Sequence, residues 1–490
     1  VCLKTALNLC IHILLMLSNK KADDFSEWFL ELVQKAELMD YSPVQGCMVI
    51  RENAYFVWQK MQDYLNALIY EDGVRNTYFP LFIPESFLKK EAEHFKGFAP
   101  EVAWVTHGGN AELGERLAIR PTSETIMYYF FSKWISSPRD LPFKINQWCN
   151  VVRWDTKALK PFLRTREFLW QEGHTAHATR EEADAQAMRA LGWYKQMCEE
   201  LLALPVISGK KSEAEKFPGA DYTTTIEALM PDGKALQAGT SHQLGQNFAK
   251  MFNVKYKTAS GGSEYCYQTS WGSSTRLLGA LAGVHGDDKG LVLPPRVAFL
   301  QVVLVPIAYS PEDKKMALTR LEKLASELKA KSLRVRIDDR EDKTPGFKYN
   351  EWESKGVPLR IEVGLKDLAN QGVTVARRDT GEKDFVSDEK IIASVLKTLD
   401  EIHVNLLSRA KRFMEENTHS VKTFDEFKKL MDASRGFVKT GWCEDARCEE
   451  AIKEETGATI RVIPFDAQAD GKCVYCSGKA KTIAFFARSY

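Results

Sequence analysis

The 490-residue sequence has no surplus of charge: 67 Lys and Arg stand against 66 Asp and Glu. A chain without a global basic field holds nucleic acid, if it does, through a local patch rather than by net attraction. It has no internal repeats and no low-complexity tract. It also has no apolar run of membrane-spanning length. The most apolar stretch, VCLKTALNLCIHILLML, ends at Leu17 and is interrupted by Lys4 and His12, short of the ~20 residues a spanning helix needs. Three readings of it stand: a leader outside the fold, a helix packed on the body, or a signal-peptide core. Against the last, no small-residue cleavage site follows and SNKKADD turns polar at once. The first residue is Val rather than Met. Cysteine is sparse as well. Of ten, six (Cys2, Cys10, Cys47, Cys149, Cys198, Cys266) are scattered. That excludes a small disulfide scaffold and points to buried thiols in a reducing, cytoplasmic compartment.

What is present is enough chain for roughly three domains at ~150 residues each. Helical spacing runs from Phe25 to about Asp40 and from Glu52 to Ile69. A strand is expected over Thr77–Pro84, TYFPLFIP, with Pro80 marking an edge or a bulge. Further strands are expected at Leu117–Arg120, Ile145–Arg153, Phe168–Gly173, Thr223–Met230 and Ala235–Gly239. Helices are expected at Glu124–Ile135 and Arg180–Leu202. This order gives a mainly antiparallel sheet flanked by helices, not a βαβ alternation. Near Pro294–Pro295 the texture changes to alternating strand and helix, an α/β unit of about a hundred residues. A third segment starts near Leu399, with a long charged helix over Ile402–Asn417, another from Thr423, and a cysteine-bearing end.

Five stretches carry chemistry. In VVRWDTKALKPFLRTREFLWQEGHTAH, residues 151–177, Arg153 ends a strand. Arg164, Arg166, Phe168, Trp170, Glu172 and His174 then follow at period two. A face mixing guanidinium groups, aromatics and a carboxylate suits a ligand floor; a salt-bridged edge hairpin is the plainer alternative. AIRPTSET leads a strand into a helix with Thr122, Ser123 and Glu124 at its start. It is either a helix cap or a hydroxyl and carboxylate placed for an ammonium group. In LQAGTSHQL, Gln237 and His242 have opposite parity, and a bulge near Gly239 brings both to one cavity. YQTSWGSSTRLLGALAG feeds a helix that Ser274 or Thr275 can cap. Arg276 in its first turn opposes the macrodipole, which suggests a ligand role. Finally, Cys443-x4-Cys448 and Cys473-x2-Cys476 are paired in the manner of a closed, structural zinc site. A disulfide pair and a site without metal are the alternatives.

Together these stretches resemble a class II aminoacyl-tRNA synthetase, and closely the prolyl-tRNA synthetases of the eukaryotic and archaeal type, from about Asp24 to Tyr490. The first family signature is similar to the helix plus TYFPLFIP with Pro80, which in the family builds the dimer interface. VVRWD with RTREFLWQEGH is similar to the second, and SSTRLLGALAG to the third; IRPTSET and QAGTSHQLG are typical of the prolyl enzyme. Asp155 stands where the second signature usually has Glu, a shorter reach. The fold implied is α/β overall, with an α+β catalytic core: an antiparallel sheet flanked by helices, then an α/β anticodon-binding domain and a small zinc-binding-like domain. The division implied is a leader at 1–21, a catalytic domain at 22–295, an anticodon-binding domain at 296–398 and a C-terminal domain at 399–490.

The activity implied is ATP-dependent ligation of L-proline to tRNA(Pro) by a cytoplasmic homodimer not held in a membrane, with Mg²⁺ and a structural Zn²⁺ on Cys443, Cys448, Cys473 and Cys476. By the same resemblance, Arg153 binds the α-phosphate and the proline carboxylate. Arg164 reaches the outer phosphates, Phe168 stacks under adenine, and Arg276 covers it and touches the γ-phosphate. Gln237 and Thr240 hold the nucleotide. Thr122 and Glu124 take the prolinium nitrogen, while Trp170, Glu172 and His242 shape the proline pocket. Arg340, Lys343, Lys348, Arg377 and Arg378 are candidate tRNA contacts or plain surface charges. The terminal Tyr490 can fold back toward the site. About 90 residues between His177 and Tyr267 leave no room for an inserted editing domain. The competing class is a non-catalytic relative that binds RNA or regulates; it would have lost an arginine or the amino-group pocket.

Overall fold

A computed structural model describes residues 17–94, 101–433, 435–466, 468–469 and 471–490. Most of the apolar leader therefore lies outside the described residues. Residues 18–21 pack on the body: Lys21 Nζ donates to the carbonyls of Val284 and Gly286 at 3.1 and 2.7 Å.

Seven strands make the large sheet: β1 (Arg75–Asn76), β2 (Phe143–Val152), β3 (Glu167–His177), β4 (Ile207–Lys210), β5 (Tyr222–Leu229), β6 (Ala235–Gly245) and β7 (Tyr267–Ser274). Their order is β1-β2-β3-β7-β6-β5-β4. Every neighbouring pair is antiparallel except β1 with β2. Among the helices that belong with it are α1 (Phe25–Lys35), α2 (Glu52–Glu71), α3 (Glu124–Trp134), α4 (Arg180–Gln196) and α5 (Arg276–His285). Helix α1 starts where the Asp24 carboxylate accepts the amides of Ser26 and Glu27. Its stripe of Phe25, Trp28, Phe29, Leu32 and Val33 is buried. That stripe shares a core with Trp58 and Leu65 of α2, Tyr194 of α4, Leu277 of α5 and Trp271 of the sheet. Each such side chain contributes ~1.5–3 kcal/mol by leaving water. The start of α4 is fixed by a reciprocal cap between Thr179 and Glu182.

The second unit has strands β8 (Val302–Pro306), β9 (Val335–Ile337), β10 (Leu359–Val363), β11 (Gly372–Arg377) and β12 (Lys383–Ser387), ordered β9-β8-β10-β11-β12. β8 is parallel to both its neighbours, which requires crossover helices; α6 (Pro311–Ala330) and α7 (Pro345–Ser354) supply them. Helix α8 (Ile391–Glu416) leads into the third unit. There β13 (Thr418–Ser420), β14 (Phe437–Trp442), β15 (Thr459–Val462) and β16 (Thr482–Ala487) lie in the order β13-β14-β16-β15, with α9 (Ala446–Thr456).

Several expectations change. The strand expected over Thr77–Pro84 forms only at Phe82–Pro84. Around Pro80 the backbone bonds to side chains instead of a ladder: Phe79 N donates to Gln147 at 2.5 Å and Phe79 O accepts from Arg120 at 2.7 Å. The strand expected over Leu117–Arg120 is longer, Ala111–Ile119. The expected helix Arg180–Leu202 is α-helical to Gln196 and turns π-helical over Met197–Leu201. Helix α8 starts at Ile391 rather than Ile402, because Ile391, Val395 and Leu399 continue its buried stripe. It runs through residue 398, so no linker separates the second unit from the third.

Candidate active site

The ladder registers put the chemistry in rows. Across β2, β3, β7 and β6 one row reads Gln147, Glu172, Gly272, Thr240; the next reads Ile145, His174, Ser270, His242, and continues to Thr223 on β5. Beside them Cys149, Trp170 and Ser274 align, with Phe168 one step further along β3. Residue β6 Ala238 has no partner on β5, a bulge that shifts the register between Ile226 and Glu227. It turns Gln237 to the side of Thr240 and His242, as their spacing predicts. The bulge is crowded from behind: a Cβ on Gly239 would lie 3.0 Å from the Tyr194 ring.

These rows floor a cleft of about 300 Å³ lined by Thr122, Glu124, Arg153, Phe168, Trp170, Glu172, Gln237, Thr240, His242 and Arg276, among others. A second cavity of about 240 Å³ shares Arg153, Phe168, Ser274 and Arg276 with it and adds Asp155, Arg164 and Tyr490. Every predicted ligand-binding residue therefore lines one or both. The period-two run needs one correction. Strand β3 begins at Glu167, so Arg164 and Arg166 precede it. Arg164 belongs to the loop and still lines the second cavity. Arg166 is structural: its guanidinium lies 4.6 Å from the Trp154 ring centroid and donates to Gln45 O at 3.2 Å.

The two ends differ in charge. At one end Arg276 Nε donates to Leu163 O at 3.0 Å. Burial, with Arg153 beside it, lowers the Arg276 pKa to about 10, still cationic at neutral pH. Arg153 Nε donates to Pro121 O at 3.2 Å, and its guanidinium lies 5.4 and 5.6 Å from the Phe168 and Trp170 rings. Burial presses its pKa down against the pull of Glu124, Asp155 and Glu172. Cations crowded at mutual cost are balanced by an anionic ligand.

At the other end carboxylates gather. The Thr122 hydroxyl donates to Glu124. Glu172 accepts from Ser123 Oγ at 2.5 Å and Gln147 Nε2 at 2.9 Å, and its second oxygen faces His174 Nε2 at 3.1 Å. Burial opposes its ionisation, but these hydrogen bonds outweigh it and hold its pKa below the ordinary value. The Trp170 indole donates to Cys149 Sγ at 3.2 Å. His242 Nδ1 meets Thr223 Oγ1 at 2.9 Å, and its ring lies 4.7 Å from Phe217. Burial first, then His174 and Arg153, push its pKa down to about 3, so it stays neutral. Phe217 and Gln147 escaped the sequence reading, and Ser123 was placed at the helix start without its partner Glu172. Phe217 sits in a loop without periodicity, and the other two act only through Glu172.

The other candidates sort differently. Arg340 is held by Asp338 and Glu351 at 2.6 Å each, and Lys348 Nζ donates to Asp338 O at 2.9 Å. Arg377 pairs with Asp379 at 3.0 Å and Arg378 with Asp287 at 2.6 Å. These four brace the fold. Lys343 lines a groove of about 680 Å³ with Tyr309, Lys314 and Lys315. Tyr490 does return to the site, its hydroxyl donating to Asp232 at 2.7 Å. The sulfurs of Cys443, Cys448, Cys473 and Cys476 lie within 4.8 Å of one another. Two separations, 3.6 Å (Cys443–Cys448) and 3.8 Å (Cys443–Cys476), match the ~3.8 Å between sulfurs ~2.3 Å from a tetrahedral zinc. They are too long for the ~2.05 Å of a disulfide.

Three family models match the chain: "tRNA synthetase class II core domain (G, H, P, S and T)" over residues 104–285, "Anticodon binding domain" over 301–398, and "Prolyl-tRNA synthetase, C-terminal" over 424–490. The sequence is 52% identical over 472 residues to Proline--tRNA ligase 2 of Clostridioides difficile, covering 96% of this chain and 97% of that protein. It is 53% identical over 468 residues to Proline--tRNA ligase of Alkaliphilus oremlandii, covering 95% and 96%. Among solved structures it resembles prolyl-tRNA synthetase from Cryptosporidium parvum complexed with halofuginone and AMPPNP. That likeness has a TM-score of 0.93 at 44% identity, covering 97% of this chain and all of that one.

Proposed function

This chain belongs to the class II prolyl-tRNA synthetases, and on that premise we propose which of its residues carry the reaction. The activity is that of an ATP-dependent proline–tRNA ligase. Proline is activated by attack of its carboxylate on the α-phosphorus of ATP. A P–O bond to the prolyl carboxylate forms as the bond to pyrophosphate breaks; a tRNA(Pro) 3′-terminal hydroxyl then takes the prolyl group and releases AMP. The attacking carboxylate is already ionised at neutral pH, so no general base is needed, and the barrier lies in bringing two anions together.

Arg153 lines both cavities and would bridge the proline carboxylate and the α-phosphate. Arg164 and Arg276 line the cavity beyond it and would take the outer phosphates as pyrophosphate leaves. Phe168 offers the adenine a ring face, with Gln237 and Thr240 two strands away on the same sheet. Glu124, with Thr122, receives the prolinium nitrogen, and Trp170, Glu172 and neutral His242 close around the ring. The single observation that carries this reading is the polarity of the cleft: Glu124 and Glu172 at one end, Arg164 and Arg276 at the other, with Arg153 between. Mg²⁺ bound with ATP supplies further positive charge to the leaving phosphates; Asp155 is the carboxylate of that cavity and fits one contact to it. The test is amino-acid-dependent ATP–pyrophosphate exchange. Exchange should depend on proline, Trp170→Ala should raise KM for proline, and Phe168→Ala should raise KM for ATP. The reverse pairing would overturn the assignment.

The other parts are read with it. Residues 22–295, 296–398 and 399–490 are proposed as catalytic, anticodon-binding and C-terminal domains. The groove at Tyr309, Lys314, Lys315 and Lys343, which the braced Arg340 and Lys348 also line, is the proposed anticodon seat; Arg377 and Arg378 are not part of its lining. Cys443, Cys448, Cys473 and Cys476 would hold one zinc ion, which leaves no coordination position for catalysis. A homodimer is supported by exposed Tyr78, Phe82, Trp104 and Trp134 near the first signature. A reducing cytoplasm is supported by the unpaired state of the described cysteines. No helix among the described residues is long and apolar enough to cross a membrane. The eukaryotic and archaeal subtype is supported by the C-terminal cysteine domain and the lack of an inserted domain between His177 and Tyr267, although the curated relatives named above are bacterial.

A further inference from the structure

The loop over residues 211–220 enters the cleft from β4 at the edge of the large sheet, and the third unit grips its root. Lys210 and Ile463 exchange two backbone hydrogen bonds of 2.8 Å. Gly209 permits this approach: a Cβ there would lie 2.3 Å from Ile463 O. Ser212 Oγ donates to Glu449 on α9 at 2.5 Å, both side chains being buried. Arg461 on β15 donates to both oxygens of buried Glu227 on β5, at 3.0–3.2 Å, while Lys211 Nζ meets the same carboxylate at 2.7 Å. Arg461 also reaches Glu215 at 3.7 Å. Beyond these anchors the loop delivers Phe217, whose amide donates to Thr223 Oγ1 at 2.9 Å and whose ring packs on His242. Thr223 is the hydroxyl that meets His242 Nδ1. An unbroken chain of contacts thus runs from the third unit to one wall of the amino-acid end.

We propose that Arg461 and Glu449 are positioning residues for proline binding: the C-terminal domain sets where the 211–220 loop lies, and through Phe217 and His242 it tunes affinity for the amino acid. A buried carboxylate held by a hydroxyl, and another held by two cations, are fixed points, because leaving either unpaired is costly. Only four residues separate Ser212 from Phe217, so displacement at the root of the loop is passed to its tip. The inference rests on the reading that places proline at Glu124, Trp170, Glu172 and His242.

Full-length wild type, Glu449→Ala, Glu449→Gln, Arg461→Met, Ser212→Ala and Trp170→Ala are compared by pyrophosphate exchange, with circular dichroism to check folding. Loss of one such anchor should raise KM for proline roughly tenfold. KM for ATP should stay within about twofold, and Glu449→Gln, which keeps an acceptor for Ser212, should stay near wild type. Unchanged proline KM in folded Glu449→Ala and Arg461→Met, or an equal rise in both KM values, overturns the proposal. Where those variants do not fold, Ser212→Ala decides, since it cuts the Glu449 anchor from the loop side, leaves Glu227 its two cations and, unlike Glu215, lies outside the lining of the cleft. A proline KM raised about threefold supports the proposal, and an unchanged one overturns it. Trp170→Ala separates the two readings. If it leaves the proline KM alone, the pocket assignment fails; if it raises that KM while the anchor variants do not, only the positioning role fails.

Discussion

Arg276 shows what a single side chain discloses. It is the first residue of α5, where a cation opposes the helix dipole, and it is pressed by Arg153 and Arg164 as well as by burial. Within the fold those costs are offset by the carbonyls of Leu163 and Gln237, which accept from its guanidinium, and by the charge of Glu227. Arg276→Ala should therefore lower kcat/KM for exchange by ~10²–10³ while circular dichroism and the melting temperature hold. A variant that unfolds would make the arginine structural. This much was legible in sequence, because a charge in the wrong helical turn is a local anomaly. Period two also placed Phe168, Trp170, Glu172 and His174 correctly, since they lie within one strand. It failed for Arg164 and Arg166, because periodicity carries no information about where a strand begins. Phe217 was illegible for another reason: its role comes from a partner, His242, that tertiary packing alone brings near.

Elements were legible where an apolar stripe or an alternation runs long, as in α1, α2 and β3. They failed where side chains replace the ladder, as at Phe79 and Pro80. The cysteine pairs lie between these cases. Their spacing suggested a metal, with a disulfide pair and a site without metal as alternatives; the fold brings the end of β14, the start of α9 and the Cys473–Cys476 turn together at separations that set the disulfide aside. Reduced thiols this close lack the cross-link that would hold the turn against the sheet, whereas a zinc ion supplies four such links. Purified chain should carry about one zinc, and Cys473→Ser should lose it and melt at lower temperature in a scan of the whole protein. Metal-free wild type with an unaltered melting curve would remove the site.

For the whole molecule, the titration of its histidines matters more than its near-zero net charge. Burial, first in each case, lowers the pKa of His177 and His242 to about 3 and of His285 and His403 to about 4. They lie in β3, β6, α5 and α8, so the effect is spread over the first unit and the helix that joins the second unit to the third. The fold uses their neutral forms: His285 Nε2 sits 3.0 Å from the carbonyl of Leu202, where the ring N–H donates without any positive charge. In the unfolded chain each takes up a proton near pH 6.5. Below that, the unfolded state binds protons that the folded state refuses, so stability present above pH 6.5 is lost as pH falls toward 4. Buried Glu172 and Glu227, whose pKa values are depressed, act in the same direction at lower pH: their contribution is present above ~4.3 and lost as they protonate. The urea midpoint should therefore fall steadily from pH 7 to pH 5, before Glu172 or Glu227 matters. His285→Gln, which keeps a donor for Leu202 and cannot titrate, should flatten part of that slope. A midpoint independent of pH over this range would mean that the histidines are open to protonation in the folded protein, and that His242 could then carry charge into the proline pocket.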